Sequence, residues 1–341
     1  MNMIIVCLFV LLSLFIVSGL FIHNPKLSQR QNKTSTVTCS NLGKRGDTGN
    51  QIFQLACVIA SGKRSNANII LPSRTVSLPI VDLFDLTQFE WKDIKHDKSF
   101  NEYDNYEFIE IPDNGLVYNI KGYRQAYLYF EEYSEEIRKI FTPKKELLES
   151  VKKVLPEKYI AVHIRRGDYI KWMHSIPLLK EFKQCQIDYY RKGVLELKKS
   201  HPDCQVIVCT DSPDLILPIL QDIDDKAIIS PAVYGMQGKF SDFCIIYLAD
   251  AVVMSNSTFS WWASYLKNDR PIISPSPWWD PKGFVGTAMA LDGPYLYHPD
   301  WTILDSDSGE LLRKPYQNFK NKYDNNHETL SLYKLIRGIL L

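Results

Sequence analysis

From residue 159 onward the chain repeats one pattern, and that repetition constrains the fold more than any other feature. Short apolar runs at 159–162, 205–209, 227–229, 251–254 and 271–273 each end in polar residues. Segments of helical character separate them: 184–199, a short helix opened by Pro213, 240–249 with Asp242 near its start, and 258–266. Apolar runs of this length have the composition of strands buried on both faces, and strands alternating with helices predict a parallel sheet with crossovers. In doubly wound sheets ligands bind beyond the carboxyl ends of the strands. The groups at those ends are His163–Asp168, Asp211 and Asn256–Ser260.

The first of these ends reads YIAVHIRRGDY over 159–169, with His163, Arg165, Arg166 and Asp168 crowded around Gly167. Adjacent arginines at a strand end, beside a glycine that frees the backbone, suit the gripping of a phosphate. An arbitrary Arg-Arg-Gly is more often a solvated basic turn; here the neighbouring strand ends shift the balance. The second is Ser255-Asn256-Ser257-Thr258-Phe259-Ser260-Trp261-Trp262. Short polar side chains at a strand-to-helix junction cap the helix and offer donors to a phosphate, although capping alone is what any helix start requires. Trp261 and Trp262 suit either core or a pocket wall, with core the first reading for at least one. Asn256-Ser257-Thr258 is formally a glycosylation sequon, but a junction between buried elements is closed to modification.

Upstream, residues 43–51 form a glycine-punctuated loop followed by the apolar stretch 52–60, read as a buried helix ended by Gly62, and by a strand at 68–72. A loop feeding a helix N-terminus aims free N–H groups at an anion or polar ligand, but its glycine spacing matches neither a dinucleotide fingerprint nor a P-loop. Residues 73–120 show no clear periodicity. Gly122-Tyr123-Arg124-Gln125 leads through Tyr129-Phe130 into amphipathic helices near 133–141 and after Lys144, the latter closed by Pro156. The expected division is a first α/β half at 39–155, a second at 156–300, and a C-terminal extension at 301–341.

The N-terminus carries an uncharged apolar run at 3–22, about the length that crosses a bilayer and longer than the apolar region of a cleavable signal. An anchor is therefore expected, with a polar stem at 23–38, although Val17-Ser18-Gly19 would serve as a cleavage site. Lys26, Arg30 and Lys33 follow the run and no basic residue precedes it, which on charge alone places the body in the cytosol. The sequon at Asn32 points the other way, and the even number of cysteines beyond the run (Cys39, Cys57, Cys185, Cys204, Cys209 and Cys244) is consistent with an oxidising compartment, although several sit in apolar contexts that suit a buried free thiol at least as well as a disulfide. Lys+Arg (40) balances Asp+Glu (39), which excludes a nucleic-acid binder working through bulk charge.

Three stretches, in order, carry a family resemblance. Gly49-Asn50-Gln51-Ile52-Phe53-Gln54, His163-Ile164-Arg165-Arg166-Gly167-Asp168-Tyr169 and Asn256-Ser257-Thr258-Phe259-Ser260-Trp261-Trp262 resemble the corresponding motifs of the α-1,2-fucosyltransferases; Gly122-Tyr123-x-Gln125 is a weaker fourth match. Lys44–Thr48 and Thr210-Asp211-Ser212 depart from the family pattern. The resemblance implies two facing Rossmann-like domains of the GT-B type, the first on the acceptor side and the second holding GDP-fucose. It implies inverting transfer of fucose to the 2-hydroxyl of a terminal β-galactoside on a glycoprotein or glycolipid, and a type II Golgi membrane protein glycosylated at Asn32. No cofactor or metal is implied, the arginines taking over the charge of the leaving group. By position Arg165 and Arg166 clamp the diphosphate, with Asp168 beside them as a further catalytic candidate. His163 orients the loop or nucleotide, and Asn256, Ser257, Thr258 and Ser260 supply the helix-start donors. Asp211 reads base or ribose, and Asn50 with Gln51 reaches in from the opposite half.

Two rival readings remain. Asp222-Ile223-Asp224 and Asp305-Ser306-Asp307 match the D-x-D pair of metal-dependent glycosyltransferases, but neither sits at a strand end in an apolar context. Arg45-Gly46-Asp47 and Arg166-Gly167-Asp168 match an adhesion tripeptide, and an inactive sugar-binding paralogue would keep the same motifs.

Overall fold

The computed structural model describes residues 34–44, 46–73, 78–101, 109–167, 183–279 and 293–314. The expected anchor at 3–22, the sequon at Asn32 and Asp168 lie outside them. Among the described residues no helix is long and apolar enough to cross a membrane.

The first half is a parallel sheet ordered β3-β2-β1-β5-β4. Its strands are β1 (Thr36–Thr38), β2 (Asn68–Leu71), β3 (Glu90–Trp91), β4 (Lys98–Phe100) and β5 (Val117–Ile120). Strands this short hold at most two residues per face, which is why 73–120 shows no periodicity. The second sheet runs β12-β11-β10-β9-β6-β7-β8. It contains β6 (Tyr159–Ile164), β7 (Gln205–Thr210), β8 (Ile228–Ile229), β9 (Ala251–Val253), β10 (Ile272–Ser276), β11 (Thr302–Asp305) and β12 (Leu311–Arg313). Among the described strands of this sheet only β12 pairs antiparallel. Numbered from β6, the parallel strands follow the Rossmann order 3-2-1-4-5-6, so the topological switch point lies between β6 and β9. The first sheet takes in Thr36–Thr38, within the expected stem, and the second takes in β11 and β12, within the expected extension.

Helices fill the crossovers. In the first half α1 (Thr48–Arg64) joins β1 to β2, and the short α2 (Pro79–Leu83) precedes β3. The connection to the second half carries α3 (Ser134–Ile140) and α4 (Lys145–Lys152). The second sheet is served by α5 (Ile187–Lys198), the turns α6 (Pro213–Ile216) and α7 (Leu220–Ile223), α8 (Gly238–Leu248) and α9 (Thr258–Tyr265). β6 is buried throughout because both faces are covered. Tyr159 and Ala161 join one core cluster, while Ile160, Val162 and Ile164 join the other with Tyr189, Tyr190 and Val194 of α5.

α1 is apolar all round because it too is covered on both sides, by its own sheet and by α9. The ring of Phe53 lies 4.7 Å from Trp261 and 4.9 Å from Trp262, and Phe130 stacks on Trp262 at 5.1 Å. Trp261 and Trp262 are both core, and one continuous buried cluster runs through both halves. Burying a large apolar side chain contributes about 1.5–3 kcal/mol. The exposed Lys239–Asp47 pair at 3.7 Å belongs to a class worth about 0–1 kcal/mol, so aromatic burial holds the halves together. Gly62 does not end α1. The helix runs on to Arg64, and the left-handed turn is made by Asn66 at φ 50. Gly62 is needed for packing: a Cβ there would lie 2.5 Å from Ile69 Cγ1 of β2.

Candidate active site at the facing strand ends

The carboxyl ends of the two sheets meet where α1 and α9 touch N-terminus to N-terminus. Asp47 caps α1, its side chain accepting from the Thr48 N–H at 2.8 Å, and Ser257 caps α9, accepting from the Phe259 N–H at 3.4 Å. A Cβ on Gly49 would lie 2.4 Å from the Thr258 carbonyl carbon and 2.6 Å from the Phe259 nitrogen. Only a glycine allows this approach, because backbone on both sides cannot give way. Thr258 then donates its hydroxyl to Asn50 Oδ1 at 3.3 Å, and Gln125, after β5, donates Nε2 to the same oxygen at 2.6 Å. The start of α1, which follows β1, and the start of α9, which follows β9, are thereby brought together.

On the β6 side the loop is organised by Asp211, at the end of β7. Its carboxylate accepts from Arg165 Nη1 at 2.8 Å, the Arg166 N–H at 2.9 Å and the Gly167 N–H at 3.2 Å. Gly167 also donates to Ser212 Oγ at 3.0 Å, and a Cβ on it would strike Asp211 Oδ2 at 2.4 Å. Asp211 is thus committed to shaping the loop. The arginines part company. Arg165 keeps a side chain 32% exposed at the strand end. The Arg166 guanidinium folds back to donate to the Arg165 carbonyl at 3.2 Å and the Cys185 carbonyl at 2.8 Å, and lies 5.9 Å over the Tyr190 ring.

His163 is buried, hydrogen-bonded through Nδ1 to Ser255 Oγ at 2.9 Å and 5.5 Å from the Phe259 ring. Burial, reinforced by the Arg165 charge, pushes its pKa down to about 3. It is a neutral strut between the two loops. Asn256 donates Nδ2 to the Lys183 and Trp278 carbonyls at 2.5 and 2.9 Å, and its Oδ1 accepts from Cys185 Sγ at 3.6 Å. Ser260 donates to the Ser255 and Ser257 carbonyls, both at 3.3 Å. Gln51 is buried, with Nε2 donating to the Gly46 carbonyl at 3.4 Å. These residues build the site's walls.

Two groups here were not picked out from the sequence as site residues. Asp242, in α8, has its pKa raised to about 6 by burial; Ser230 and Cys209 hydrogen-bond it, and the Asp211 charge adds to the rise. In the sequence it is an ordinary acid near a helix start, and only the fold brings it behind the loop. Gln125 stood out only within a weak motif match. The six described cysteines are free, buried thiols, and burial pushes Cys39 and Cys57 up to about 12 and 11. Among the described residues no group of three His, Cys, Asp or Glu is placed to hold a metal.

The family model for Glycosyl transferase family 11 matches residues 7–282. The chain belongs to that family. Among its relatives is the Alpha-1,2-colitosyltransferase of Escherichia coli, 30% identical over 169 residues, covering 47% of this chain and 55% of that protein. The Galactoside alpha-(1,2)-fucosyltransferase 2 of Hylobates lar is 22% identical over 299 residues, covering 79% of this chain and 80% of that one. The Galactoside alpha-(1,2)-fucosyltransferase 1 of Rattus norvegicus is 26% identical over 250 residues, covering 65% and 61%. Solved structures that align with it include POFUT1 in complex with GDP-fucose, at TM-score 0.45 and 16% identity over 71% of this chain and 97% of that chain. The NodZ alpha-1,6-fucosyltransferase soaked with GDP-fucose aligns at TM-score 0.45 and 12% identity, over 72% and 96%.

Proposed function

We propose that this family 11 glycosyltransferase moves L-fucose from GDP-β-L-fucose to the 2-hydroxyl of a terminal β-galactoside, with inversion at the anomeric carbon and no metal. The observation that carries the reading is the β6 loop, where Arg165 and the Gly167 turn stand with Asp211 at the carboxyl ends of neighbouring parallel strands beside the switch point, the place where an α/β nucleotide-binding half takes its ligand. The second half takes the nucleotide and the first takes the acceptor. As the glycosidic bond lengthens, negative charge builds on the departing diphosphate, and a fixed cation at the strand end stabilises that charge more than the ground state. Arg165 fills this role; Arg166 fixes the loop from behind. The run at 3–22 and the sequon at Asn32 fit a type II protein with its body in the Golgi lumen, where glycoprotein and glycolipid acceptors are found.

The test is to incubate the purified protein with GDP-fucose and a β-galactoside and to determine the product linkage by NMR. An α-1,2-fucosylated galactoside is expected. Because the Escherichia coli relative is named for colitose, a GDP-linked colitose donor belongs in the same assay. Preference for it would replace fucose in the reading, and donor binding without product would end the enzyme claim. EDTA is expected to leave the rate unchanged; a loss restored by manganese would favour the D-x-D alternative.

A further inference from the structure

Helix α5 presents two faces. Tyr189, Tyr190 and Val194 are buried against the second sheet. Lys192, Leu195, Glu196 and Lys199 lie at i, i+3, i+4 and i+7 on the outer side, and Leu195 is 57% exposed. Beside that side runs the β11–β12 hairpin, in which Leu304 and Leu311 are cross-strand partners. Leu304 is buried and Leu311 is 52% exposed. The hairpin turn is pressed onto the helix at Gly309, φ 69, where a Cβ would lie 2.7 Å from the Asp188 carbonyl oxygen. Helix and hairpin thus hold between them an open groove of about 390 Å³, with Leu195 on one wall and Leu311 on the other. Single exposed leucines are ordinary on a protein surface. Two that line one groove make an apolar seat.

The chain itself supplies an occupant. β12 forms one wall of the groove and ends at Arg313, so residues 315–341 continue from the groove's own rim. Within them Leu332, Leu335, Ile336, Ile339 and Leu340 recur at i, i+3, i+4, i+7 and i+8. That is the spacing of one apolar stripe on a helix, with Lys334 and Arg337 falling on the opposite side. A helix this short depends on something that covers its stripe. Residues 315–331 span about 55 Å when extended, at ~3.3 Å each, ample to bring the stripe back to a groove that begins at β12. A second copy fits less well. A stable interface takes roughly 800 Å² from each partner, more than so small a groove presents, whereas a tethered segment acts at an effective concentration on the order of millimolar.

We propose that the apolar stripe at 332–340 seats in the groove between α5 and the β11–β12 hairpin, so that the chain's own downstream segment closes the outer face of the second half.

The test is limited trypsin digestion of the purified protein, read by mass spectrometry. In the wild type, cleavage after Lys334 and Arg337 is expected to run roughly 10-fold slower than after Lys320 and Lys322. In Leu195→Asp/Leu311→Asp the gap should close to about twofold or less. Both replaced side chains are half exposed, so a cooperative thermal transition near the wild-type midpoint is expected of this variant. Equal cleavage at all four sites in the wild type, or a gap that persists in the folded groove variant, overturns the proposal. So does protection that grows with protein concentration, which would make the occupant a second copy, or protection seen only with phosphatidylserine vesicles, which would make it a membrane surface. If the groove variant does not fold, Leu335→Asp/Ile336→Asp decides through hydrogen exchange over 192–199. Faster exchange there is expected, and unchanged exchange overturns the proposal.

Discussion

The loops after β6 and β9 lie side by side at the switch point of one sheet and use their polar groups in opposite ways. After β9 the hydrogen bonds close inward: Asn256 onto the Lys183 and Trp278 carbonyls, Ser260 onto Ser255 and Ser257. After β6, two backbone N–H groups and the Arg165 guanidinium gather round Asp211, whose side chain is 23% exposed. Two stretches equally conspicuous in the sequence thus differ in what they do with their polar groups: one closes them onto neighbouring carbonyls, and the other gathers them round a half-buried carboxylate. The arginine pair repeats the lesson on a smaller scale, with Arg165 paired to Asp211 at the strand end and Arg166 turned to the Cys185 carbonyl.

The sharpest way to break the comparison is to exchange the roles by mutation. Arg165→Lys keeps the charge but loses the planar fork, and is expected to lower turnover by roughly 100-fold or more while leaving the melting temperature nearly unchanged. A fall in stability with normal turnover would make Arg165 a wall residue. Next comes Gly49→Ala, which sets a Cβ against the Thr258 backbone. Overpacking of this kind costs about 1–3 kcal/mol, and thermal unfolding should show it together with lost activity, since the helix starts are pushed apart. Asn256→Ala should reverse the Arg165 pattern. Leaving buried carbonyls without their donor costs about 1–3 kcal/mol, visible as a lower urea midpoint with a GDP affinity that changes far less.

The smallest effect is in pH. His163, whose pKa falls from 6.5 to about 3, contributes stability that is complete above pH 6.5 and lost as the pH falls toward 3. Asp242, raised from 3.8 to about 6, does the reverse: its contribution is present below pH 3.8 and lost as the pH rises toward 6. Each slope approaches about 1.4 kcal/mol per pH unit, so between pH 4 and 6 they offset. Urea unfolding of Asp242→Asn across that window should expose the His163 slope, with stability falling as the solution is acidified. A flat profile would mean that His163 is not held neutral.

The second sheet was legible because 159–164 and 205–210 are long enough to show continuous apolar character, and their polar ends name the ligand edge. The first sheet was not, because strands of two to four residues carry no period and are defined by their partners. Gly62 read as a stop because a helix-terminal glycine and a packing glycine look alike without the Ile69 side chain beside them. Gly49, Gln125 and Asp242 were obscure for a related reason: each acts through a contact distant in sequence, and the Lys183 and Trp278 partners of Asn256 are equally remote.

The central claim, that the β6 loop meets the diphosphate through Arg165, is tested most directly by calorimetric titration of GDP and GMP into the wild type and Arg165→Ala. The account predicts that the wild type binds GDP well above GMP and that this preference collapses in Arg165→Ala while GMP affinity changes little. An undiminished preference for GDP in a folded Arg165→Ala would contradict it.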